Sequence, residues 1–214
     1  MKNSSIAFIL IAVVPFYGAG AETDVSNWVF RGGIAQVSPN DDSGGVLGGG
    51  VGVDSATGVG VSFTYLYQPN WGVEVLGALP FTHDIRGTGA LAGLPIGETR
   101  HLPPTVSLVY NWGEQTQYRV GAGVNYTQFF DEKTSSALDT TLGGETDLKL
   151  DASVGLALQV GFDTPLSNEW SFSGTLYYMD IGTEADVLVD NTVAATVDVD
   201  IDPWVLMLGV STHF

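Results

Sequence analysis

Three groups of residues in this 214-residue chain carry chemistry worth testing. His83-Asp84, His101 and nearby Ser107 supply a base, an orienting carboxylate and a hydroxyl nucleophile, the parts of a hydrolase or acyltransferase. Two histidines on one long connection more commonly order a loop through hydrogen bonds, so no catalytic residue is assigned. Asp198, Asp200 and Asp202 open like a calcium loop. Pro203 then stands where that loop needs glycine and Gly209 where it needs a bidentate Glu, so the motif fails and no metal site is assigned. The third group is Arg31, Glu74, Arg119 and Asp163, two cations and two anions on otherwise apolar segments. Charges in such company persist only when paired, which makes them a polar plug and not a reactive centre. No cofactor is called for: the Gly44 to Gly52 cluster lacks the Lys-Ser/Thr of a phosphate cradle, and without cysteine there is no thiolate site.

What must position these residues is read from alternation. The last stretch, Asp198 to Phe214, sets Trp204, Leu206, Leu208, Val210, Thr212 and Phe214 against Val205, Met207, Gly209, Ser211 and His213, the period of a strand with two faces. Eight such segments can be drawn, at 28–37, 57–68, 71–82, 104–113, 117–130, 151–163, 169–180 and 200–214. Each is long enough to cross a bilayer as a tilted strand. Their connections alternate between short turns, such as Pro69-Asn70, and four stretches of near twenty residues (38–56, 83–103, 131–150, 181–199). The pattern predicts an all-β fold, an eight-stranded antiparallel transmembrane β-barrel with short periplasmic turns and long extracellular loops. Trp28, Tyr67, Trp71, Trp112, Tyr118, Trp170 and Phe214 gather near the short turns, as an interfacial girdle requires. A soluble lipocalin-like barrel would need neither this girdle nor a terminal Phe214.

Composition agrees. Only 14% of residues are charged, yet the formal net charge is −17, which excludes nucleic acid as a partner. Most carboxylates fall in the long connections, among them Asp41, Asp42, Asp84, Asp131, Glu145 and Asp186. Acidic loops beside a negatively charged leaflet imply divalent cations shared with lipopolysaccharide phosphates. Lys2, the apolar run Ile6 to Val14 and the small residues Ala19-Gly20-Ala21 read as a cleaved signal peptide over 1–21, leaving 22–214 as the barrel domain.

The inward faces divide by height. Arg31, Glu74, Arg119 and Asp163 form a polar floor near the short turns; above them lie Ala78, Pro80, Met179, Pro203, Val205 and Met207. This apolar face serves either as a cavity for apolar molecules or as a solid core, and the residues alone favour neither.

The strings GVEVLGALPFTHDI (72–85), GETRHLPPT (97–105), GAGVNYTQFFDE (121–132), YYMDIGTEA (177–185) and DVDIDPWVLMLG (198–209) resemble, in order and spacing, the outer membrane protein W (OmpW) family. The resemblance implies a Gram-negative outer-membrane barrel with a narrow hydrophobic lumen for passive uptake of small hydrophobic molecules and lateral release into lipid. It implies no catalytic residues. The family's pattern lands on Pro80, Phe81, His83, His101, Leu102, Pro103, Pro104 and Trp204, so the expected substrate path is Pro80, Phe81, Met179, Pro203, Trp204, Val205 and Met207. The alternative function is a non-conducting surface barrel whose acidic loops bind cations, lipopolysaccharide, or phage and toxin partners.

Overall fold

A computed structural model describes residues 27–40, 42–43 and 49–214. The expected signal peptide over 1–21, Asp41 and most of the glycine cluster lie outside the described residues. In chain order the strands are β1 (Trp28–Ser38), β2 (Asp42–Ser43), β3 (Gly49–Val53), β4 (Ala56–Leu66), β5 (Trp71–Ala78), β6 (Phe81–Gly89), β7 (Pro95–Leu102) and β8 (Thr105–Trp112). They continue with β9 (Gln117–Thr134), β10 (Thr146–Leu150), β11 (Ser153–Pro165), β12 (Ser171–Met179), β13 (Gly182–Val189), β14 (Thr192–Asp200) and β15 (Trp204–His213), with helix α1 (Ser136–Leu142) between β9 and β10.

Eight of these close a ring: β1, β4, β5, β8, β9, β11, β12 and β15, each antiparallel to its neighbours, with β15 returning to β1 from Val29↔His213 to Ser38↔Trp204. Closure leaves no unpaired edge, the condition for a sheet in lipid. The closing seam is tight because Gly33 lies opposite Gly209; a Cβ on Gly33 would stand 2.2 Å from the Leu208 carbonyl oxygen. Outward positions are apolar and bare. Leu156, Leu158, Val160, Leu206 and Leu208 are all exposed, and a continuous band of this kind is a lipid-facing surface. Aromatic pairs hem its short-turn edge, Trp28 with Tyr65 at 4.9 Å and Trp71 with Tyr110 at 5.0 Å between ring centroids.

The four long connections differ from the sequence expectation. They are largely strand. β9 runs on past Thr127, where its pairing with β11 ends, and the extension pairs with β7 from Leu102↔Gln128 to Gly97↔Thr134; β7 pairs with β6, and β6 with β3. A second sheet, β10-β13-β14-β2, stands opposite. The turn between β13 and β14 places Asp190 and Asn191 at φ 50° and 63°, left-handed at both central residues, as two-residue hairpins demand. α1 is fixed at its start by the Leu138 N–H donating to Ser135 Oγ at 3.1 Å and at its end by Gly143 at φ 76°. The barrel therefore carries an upper storey made of two facing sheets.

Candidate functional site

The bore has a floor. Arg31 on β1, Glu74 on β5, Arg119 on β9 and Asp163 on β11 meet there, all fewer than one-tenth exposed. Arg31 Nη2 is 2.8 Å from Asp163 Oδ2 and its Nη1 is 3.3 Å from Glu74 Oε2. Arg119 Nη1 lies 3.0 Å from Asp163 Oδ2, its Nε 3.6 Å from Glu74 Oε2. Two positive and two negative charges cancel, which is what makes their burial tolerable.

Uncharged residues that sequence reasoning missed complete the network. Gln159 Nε2 donates to Glu74 Oε1 at 2.9 Å and its Oε1 accepts from Arg119 Nε at 3.2 Å. Tyr177 Oη donates to the same Glu74 oxygen at 3.2 Å, while Thr175 Oγ1 accepts from Arg119 Nη2 at 2.6 Å. Thr64 Oγ1 accepts from Arg31 Nη1 at 2.8 Å and donates to Glu74 at 3.0 Å. Each shares the inward parity of its strand; two guanidinium groups with ten donor positions between them need acceptors beyond two carboxylates. Asn111 is not part of this network. Its backbone oxygen accepts from Asn70 Nδ2 at 2.6 Å and so ties the short turn after β4.

Above the floor are two apolar hollows. The lower is narrow and is lined by Ala78, Phe81, Pro103, Met179, Val205 and Met207, among others. The upper is the larger of the two and lies between the two upper sheets, against Val51, Ile85 and Phe129 on one side and Leu148, Val187 and Val199 on the other. Phe81 stands between them: it lines the lower hollow and its ring lies 6.4 Å from His83 and 6.0 Å from His101, which line the upper.

Of the expected path residues, Phe81, Met179, Val205 and Met207 share the lower hollow, and Pro203 is buried close by. Two are corrected. Trp204 takes the outward parity of β15, is 48% exposed, and packs on Tyr178 at 5.2 Å between centroids, facing lipid. Pro80 is exposed because β5 ends at Ala78 and the chain breaks its alternation before β6 begins. The paper hydrolase does not assemble either: Asp84 projects from the face of β6 opposite to His83.

Pro80 nevertheless marks a weak place in the wall. β5 and β8 pair from Trp71↔Tyr110 to Leu76↔Thr105, and β6 and β7 pair from Phe81↔His101 upward. Between these ladders, 77–80 and 102–104 face one another without strand pairing. Pro80, Pro103 and Pro104 supply no N–H for one. Pro203 opens no comparable gap: its carbonyl oxygen accepts the Met179 N–H at 3.2 Å, and the Asn40 N–H donates to the Ile201 carbonyl oxygen at 2.8 Å.

Comparison with known proteins places this architecture. The family model described as OmpW family matches residues 25–214. Outer membrane protein W of Vibrio cholerae serotype O1 is 42% identical over 195 residues, covering 88% of each chain. Outer membrane protein W of Escherichia coli K12 is 35% identical over the whole of both chains. Among solved structures, the crystal structure of the outer membrane protein OprG from Pseudomonas aeruginosa superposes with a TM-score of 0.79 at 37% identity, over 88% of this chain and 96% of that one. The chain thus belongs to the OmpW family, as an eight-stranded antiparallel barrel of the Gram-negative outer membrane.

Proposed function

We propose that the barrel is a passive conduit for small hydrophobic molecules, which enter the upper hollow, pass Phe81 into the lower one and leave sideways into membrane lipid. The observation that carries this reading is the placing of the lower hollow. It sits on a floor of paired charges and beside the proline seam, sharing Ala78 and Pro103 with it. Straight descent would separate buried ion pairs, at a cost of several kcal/mol. Sideways exit between 77–80 and 102–104 breaks no ladder hydrogen bond across that seam. Lipid is then the immediate acceptor of the solute, and lipopolysaccharide the neighbour of the acidic hairpins.

Uptake of matched alkanes, aromatics and sugars into liposomes tests the reading. Val205→Asp and Met207→Asp each set a carboxylate in the lower hollow and should sharply reduce uptake of the apolar solutes, while Glu74→Gln should leave it near normal. Normal apolar uptake in both aspartate variants, or loss in Glu74→Gln alone, would show an axial path and end the lateral one.

A further inference from the structure

The upper hollow is apolar except at Thr183, whose hydroxyl donates to the Asp151 carbonyl oxygen at 2.7 Å, and at one further place. On β7, Thr99 and His101 both face inward, and register sets them opposite His83 and Phe81 respectively on β6. Thr99 is 4% exposed and its Oγ1 has no hydrogen-bond partner, although it lines the hollow. A buried hydroxyl left in that state carries its full desolvation penalty with nothing to offset it. His101 is 3% exposed and is held by rings alone: stacked on His83 at 4.6 Å and 15°, with Phe81 and Phe129 within 6.0 Å. The His83 ring is itself fixed, its Nδ1–H donating to the Asp54 carbonyl oxygen at 2.6 Å. The stack therefore sets the plane of His101 while leaving the polar edge of that ring for something else.

We propose that this corner of the upper hollow is a selectivity site for apolar molecules carrying a single hydroxyl, alcohols or phenols, whose oxygen sits between Thr99 Oγ1 and the His101 ring. Residues two apart on one strand face have side chains about 7 Å apart at their origin, enough for one oxygen to reach both. A hydroxyl is the group that fits, because it accepts and donates at once. It can take the Thr99 proton and give its own to a ring nitrogen, or serve an N–H of the ring and donate to Thr99. A ketone accepts only, and a bare hydrocarbon answers neither. The remaining walls, Leu148, Val187 and Val199 of the opposite sheet, take the apolar body. The site names a substrate class for the conduit proposed above and rests on that reading.

Toluene and p-cresol share a skeleton and differ by the one hydroxyl. Binding of each to the protein in lipid nanodiscs, corrected for partition into empty discs, should favour p-cresol about fivefold, the worth of one net neutral hydrogen bond. Thr99→Val, which keeps shape, should bring the ratio near one, and His101→Phe, which keeps the ring stack, should do the same. Folding of each variant is checked by the mobility of unheated samples in SDS gels; if a variant does not fold, the wild-type ratio alone decides. Equal affinities in the wild type, as when water alone satisfies Thr99, overturn the proposal and leave the conduit standing. So does a ratio unchanged in either folded variant. Binding of neither solute removes the conduit reading and this one with it.

Discussion

Arg31 and Asp163 lie 132 residues apart in the chain and 2.8 Å apart across the bore, where they form the shortest ion pair in a floor drawn from six strands. Geometry of this kind depends on every member. Asp163→Asn leaves Arg31 and Arg119 with one carboxylate between them, and removal of one partner from a buried ion network costs about 3–5 kcal/mol. Urea unfolding in vesicles should show a loss of that size, with transport of apolar solutes retained in the protein that remains folded.

Gly60 offers a way to close the lower hollow without touching the floor. A Cβ there would come 2.9 Å from Met207 Sδ and 3.3 Å from Ala35 Cβ, so a side chain at this position grows into the hollow. The thioether is flexible and can yield to a methyl group, so Gly60→Ala should fold and transport almost normally. Gly60→Phe should fill the space and lower apolar uptake at least tenfold in the liposome assay.

The β1–β15 closure has no such tolerance. At Gly209 a Cβ would sit 2.1 Å from the Gly32 carbonyl oxygen, which belongs to backbone that the ladder holds in place. Gly209→Val should abolish the compact, fast-migrating form in unheated SDS gels, whereas Gly77→Val, whose Cβ meets nothing within 4 Å, should preserve it.

His101 makes the upper storey sensitive to acid. Burial, with the His83 ring beside it, pushes its ionisation down from 6.5 to about 3. The unfolded chain thus binds a proton between those values that the folded chain refuses, so stability is fully present above pH 6.5 and falls as pH drops towards 3. By pH 5 the loss is roughly 2 kcal/mol. Hydrogen exchange in the β6–β7 hairpin at pH 7.5 and pH 5 should register it, and His101→Phe should flatten the difference.

The ring of eight strands was legible because lipid on one side and a filled bore on the other impose strict alternation, with turn residues at the short rim. The upper sheets were not. Their outward faces meet water, so runs such as Thr192–Asp200 carry Thr and Asp where a lipid-facing strand carries Leu, and they read as acidic loops. One signal was there to be used: Asp190-Asn191 between two alternating runs marks a hairpin. In the floor, formal charge exposed four members, while Thr64, Gln159, Thr175 and Tyr177 were silent because neutral polar residues facing inward look like any others. Trp204 was misplaced by giving a family pattern precedence over its parity, which Leu206 and Leu208 declare plainly.

The floor also has a bearing on how the wall is put together. Arg31 and Glu74 belong to the first three strands of the ring, Arg119 and Asp163 to a neighbouring pair further on, β9 and β11. Each of these two groups of strands therefore contributes one cation and one anion to the bore, with no net charge. The contacts between the two groups are crossed, Arg31 reaching Asp163 and Arg119 reaching Glu74, so that each ion is also held by one from the other group. Neutrality is thus local to each part of the wall, while the crossed pairs tie the two parts together across the bore.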